Sequence, residues 1–109
     1  MRRRAVNNYI TRGITDCEDQ IKAMKYANQL KTERGLGEED ADKLAIATLQ
    51  YKQSLNRYSN YAVLFDKKKR KKYIEAQANA YQGSKSRDTI IRLHEDLLDN
   101  VLDFDRANR

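Results

Sequence analysis

Proline is missing from all 109 residues, and glycine occurs only four times. Proline removes a backbone donor and clashes with the preceding turn, and glycine costs backbone entropy, so a chain nearly without both is free to run long helices. The chain reads as all-α, a bundle of three to four helices in a single domain. Residues 38–82 contain neither breaker. As one helix they would reach roughly 67 Å, whereas a 100-residue globule has a radius of gyration of only about 13 Å.

Hydrophobic spacing supports that long central helix. Ala41, Leu44, Thr48, Tyr51, Leu55, Tyr58, Ala62 and Phe65 alternate at steps of three and four, which is a heptad seam. Ile46 and Leu49 widen it. A seam of this length calls for a helical partner and invites a homodimer. After Phe65 the phase fails, because the next members would be Lys69 and Lys72. The following apolar set, Ile74, Ala78 and Tyr81, falls on the opposite side of a continuous helix. Either the helix is kinked near Asp66, or Asp66 caps a separate one.

Other boundaries carry local signals. Residues 1–14 form a basic arm or a short helix, with Val6 and Ile10 four apart and Gly13 at its end. Thr15-Asp16-Cys17-Glu18 has the spacing of a capping box and opens a helix over about 16–34. Ile21, Met24, Ala27 or Asn28, and Leu30 give that helix its apolar edge. Gly35 suits the left-handed position after it, with Leu36 folding back on Leu30. Glu38, Glu39 and Asp40 favour the start of the next helix. Gln82 to Ser86 is a loop, and Ser86 caps a last helix over about 87–105. Ile90, Ile91, Leu97, Leu98, Val101, Leu102 and Phe104 make its broad apolar face, with carboxylates filling much of the rest.

The net charge of +6 is concentrated. Residues 1–35 carry +4, 36–66 carry −2, 67–87 carry +7 and 88–109 carry −3. The excess lies in Arg2, Arg3 and Arg4 and in the run Lys67, Lys68, Lys69, Arg70, Lys71 and Lys72. Six adjacent cations surround a helix and repel one another. Such a run suits nucleic-acid phosphates, an acidic surface that includes the acidic last helix, or a nuclear-import address, or it is simply a solvated charged face. Tyr58, Tyr61, Phe65, Tyr73 and Tyr81 flank it and could stack on bases. The seam claims Tyr58 and Phe65, which leaves Tyr61 and Tyr73 freer.

Signals for catalysis are weak. His94 is the only histidine and Cys17 the only cysteine, too few for a Cys- or His-based zinc site or an internal disulfide. His94-Glu95 lacks the second histidine of a zinc-protease motif. Gly35-Leu36-Gly37 precedes three carboxylates, which would repel a phosphate. Asp96, Asp99 and Asp103 share one face and could hold a hard cation only with a second segment. No apolar run could span a bilayer or serve as a signal peptide. The expectation is a non-enzymatic cytoplasmic protein, or a nuclear one in a eukaryotic host, without cofactor or metal and with no membrane role. It would be a small nucleic-acid-binding or nucleic-acid-associated regulatory protein whose phosphate contacts come from Arg2–Arg4 and Lys67–Lys72, with Tyr73 in the same nucleic-acid-binding set. Leu44, Tyr51, Leu55, Tyr58, Phe65, Leu97, Val101 and Phe104 would form its core or dimer seam. The alternative is a protein-interaction module, an adaptor or inhibitor of viral or mobile-element type, that docks a helical or basic face on a larger protein.

Overall fold

The structure is a computed structural model and describes residues 8–109. The described residues are all-α, with five α-helices and one 3₁₀ turn. They are α1 (Asn8–Gly13), α2 (Cys17–Arg34), α3 (Glu38–Arg57), α4 (Lys67–Ala80) and α5 (Arg87–Ala107), with the 3₁₀ turn at Tyr61–Leu64. The count exceeds the expected three to four because the central segment is two helices. Its single-helix length of roughly 67 Å also exceeds the 47 Å longest dimension of the molecule.

The break has a local cause. Helix α3 stops at Arg57, and Ser59 takes a left-handed conformation, φ 57°. Asn60 then donates its N–H to Leu55 O at 2.8 Å, which turns the chain into the 3₁₀ segment. Asp66 starts α4 afresh, its carboxylate accepting from the N–H groups of Lys68 and Lys69 at 3.0 and 3.1 Å. The separate-helix reading of Asp66 therefore holds, and the heptad count beyond Leu55 continues by coincidence.

Two antiparallel hairpins make the body. Helices α2 and α3 pair along their length, with Gln53 on Asp19 at one end and Lys31 beside Asp42 at the other. Gly35 (φ 67°) ends α2 in the left-handed conformation, and Leu36 folds back to bond Leu30 O. At the other end Asp16, not Thr15, is the N-cap, accepting from Asp19 N–H at 3.0 Å. Both residues are good caps, and the choice moves the helix start by one residue. The inner face of α2 is Ala23, Tyr26, Ala27 and Leu30, whereas Ile21 is exposed.

Helices α4 and α5 form the second hairpin, joined by a loop and capped by Ser86, which accepts from Thr89 N–H. One core gathers Ile10, Tyr26, Leu30, Ala45, Leu49 and Phe104. The other gathers Leu55, Val63, Leu64, Ile74, Leu98 and Val101. Helix α5 thus belongs to both and ties the hairpins together. Phe104 meets Tyr26 edge-on, with ring centroids 5.4 Å apart. The seam from Ala41 to Leu55 is taken up inside the protomer, where Thr48 is buried and donates to Leu44 O at 2.8 Å. Leu44, Tyr51 and Leu97 are half-buried there. Tyr58 and Phe65 leave the seam and face solvent. None of the described helices is long and apolar enough to cross a membrane.

Candidate nucleic-acid interface

Helix α4 turns Arg70, Tyr73, Ile74, Gln77 and Ala78 inward, the three-and-four spacing of a helix packed on one side. Six consecutive cations cannot all avoid that face, and Arg70 is the one that meets the neighbour. Its guanidinium bonds Asp99 at 2.9 Å and Glu95 O at 3.1 Å, both on α5. Lys67, Lys68, Lys69, Lys71 and Lys72 are exposed, and none forms an ion pair among the described residues. The acidic last helix therefore neutralises one of the six cations.

Two further carboxylates of α5 are engaged elsewhere. Asp103 pairs with Arg34 and with Arg106, and Asp105 with Lys52. The Asp96, Asp99 and Asp103 face is thus partly neutralised by arginines, and among the described residues no cluster of metal-ligating side chains forms.

The five lysines occupy the first turns of α4, the positive end of the helix dipole. The dipole disfavours them there, and Asp66 is the adjacent anion. A surface of this kind attracts multivalent anions, because bringing one in relieves the mutual repulsion.

Two grooves run beside the helix. One, of about 560 Å³, is lined by Ser59, Asn60, Ala62 and Val63 on the turn side and by Lys69, Lys72 and Tyr73 on α4. The other, of about 390 Å³, lies between α4 and α5, with Ile74 and Ile91 among Lys67, Lys71, Glu75 and Glu95.

The aromatic assignments exchange places with those expected from sequence. Tyr73 is half-buried in a polar cluster, its ring edge-on to His94 at 6.3 Å. His94 Nδ1 lies 2.8 Å from the Tyr51 hydroxyl. Burial lowers the His94 pKa below its usual 6.5 and pushes the Tyr51 phenol well up. Tyr61 is half-buried and donates its hydroxyl to Asp105, and burial first, then that bond, raises its pKa. Tyr58 and Phe65, which the seam had claimed, are 65% and 73% exposed. The signal that would have found them is Ser59-Asn60, a pair of turn formers directly after the periodic stretch. Cys17 is exposed in the first turn of α2 and forms no pair with His94, whose ring neighbours are Tyr51 and Tyr73. Arg2, Arg3 and Arg4 lie outside the described residues.

Fold and surface together define a small all-α bundle that presents one helix end coated with unpaired lysine. No family model, curated protein or solved structure matches the chain.

Proposed function

We propose that the protein binds nucleic acid non-specifically through the phosphate backbone, using Lys67, Lys68, Lys69, Lys71 and Lys72, with Arg2–Arg4 adding to the same attraction. The observation that carries this reading is five exposed lysines without an acidic partner among the described residues, at the helix end least suited to cations. They form no ion pair within the bundle among the described residues, which supports a role for the cluster in holding an anionic partner. Arg70 stays with α5 and holds the helix in place. The reading requires no second copy of the chain, since the seam through Leu55 is spent within the protomer.

A second reading has its own observation. The groove between α4 and α5 has an apolar floor of Ile74 and Ile91 beside Lys67 and Lys71, and an acidic amphipathic segment of a protein partner would fit those chemistries. Substituting Lys68, Lys69 and Lys71 together by Glu separates the two readings. Under the nucleic-acid reading the triple variant melts no lower than the parent, because like-charge repulsion has been removed, and loses at least a hundredfold in affinity for an oligonucleotide. Undiminished oligonucleotide binding by the variant contradicts the proposal.

A further inference from the structure

We infer that the preferred ligand is single-stranded nucleic acid, with bases stacked on Tyr58 and Phe65 while the lysines hold the phosphates. This inference rests on the nucleic-acid reading above and deepens it. Tyr58 and Phe65 are the two most exposed large apolar side chains among the described residues. They flank the turn that precedes the lysine run, and Phe65 stands two residues before Lys67. Phe65 is held from behind: its ring meets Tyr61 at 6.2 Å and 57°, and Tyr61 is anchored on Asp105. Its N–H is fixed on Ala62 O at 3.0 Å. A ring placed this way loses little freedom when a base covers it.

The groove between the turn and α4 supplies the rest. It has Lys69 and Lys72 on one side and the polar side chains of Ser59 and Asn60 on the other. Ser59 sits in a left-handed conformation that a serine rarely adopts. That turn separates Tyr58 from the core that a continued helix would have given it. Cations beside unpaired aromatic faces are the combination that single strands use, because every base offers a π-face once it is out of a duplex. A duplex hides its bases and would engage the lysines alone.

The test measures binding of the full chain to three probes at about 50 mM salt: a fluorescent 15-nucleotide strand, the same strand as a duplex, and a strand of equal length built largely of abasic sites. The parent should bind the ordinary strand about tenfold or more tighter than the duplex or the abasic strand. The double substitution Tyr58→Leu, Phe65→Leu should remove that preference and leave duplex affinity within about twofold. Both side chains are exposed, so the variant should keep the parent's melting temperature, and a single Phe65→Leu should show a partial loss if the pair does not. Equal binding of all three probes, or a double variant that keeps the preference, overturns the stacking and leaves phosphate contact standing. Absence of binding to every nucleic acid, or tighter binding to polyglutamate than to any of them, overturns both readings in favour of a protein partner.

Discussion

Asp42 is the least comfortable residue in the core. It is 1% exposed, its carboxylate oxygens accept no hydrogen bond among the described residues, and its nearest cation, Lys31, is 3.8 Å away. Burial raises its pKa above the usual 3.8, with Lys31 opposing and Glu38 adding. A carboxyl with a raised folded-state pKa destabilises progressively as pH rises through that value. Asp42→Asn should therefore gain about 1 kcal/mol at pH 7, and the gain should shrink in acid as the parent's own carboxyl takes up its proton, seen by comparison with pH 4. Urea unfolding at both pH values measures it, and a loss at pH 7 would show that the charge is needed. His94 behaves in the opposite sense. Its pKa is lowered by burial, so the unfolded chain takes up the proton first. Stability should hold above about pH 6.5 and fall as the pH drops below it, where the unfolded chain binds the proton and the folded one resists it. His94→Gln should flatten that fall, and an unchanged slope would locate the titration elsewhere.

Among the elements, α4 depends most on a single side chain. Its first turns carry five unpaired lysines against the helix dipole, and Asp66 answers two of the open N–H groups. Asp66→Ala should cost about 1 kcal/mol or slightly more, seen as a lower urea midpoint, while Asp66→Asn should keep most of the cap. If Ala and Asn behave alike, the cap is not what starts the helix. Much of this level was legible beforehand. Gly35, Asp66 and Ser86 are residues whose chemistry suits one position, and each stands there. The seam was legible to Leu55 because burial and periodicity agree that far. It misled beyond Leu55 because Tyr58, Ala62 and Phe65 keep the heptad count while lying outside any helix of the seam. Three- and four-residue steps carry no information about where backbone hydrogen bonds stop, and Ser59-Asn60 was the only cue. Tyr73 looked free because its partners, His94 and Tyr51, are 21 and 22 residues distant along the chain.

At the scale of the molecule, the two hairpins share α5, which spends its acidic face on cations of three other segments: Arg34 of α2, Lys52 of α3 and Arg70 of α4. Charge that looked like a reservoir for neutralising the lysine run is therefore used to hold the bundle together. The excess charge of Lys67–Lys72 is presented outward at one helix end, with Arg70 alone among the six paired to α5. The candidate site was legible only as a charge distribution. Which cations stay unpaired and which aromatics face water depend on how the hairpins dock, and no local pattern encodes that. The measurement that bears most directly on the central claim is the affinity of the full chain for a single-stranded oligonucleotide at 50 and 200 mM salt. Five lysine–phosphate contacts predict about a hundredfold weakening over that range. An affinity that stays constant within a few-fold, or no binding at the lower salt, would contradict it.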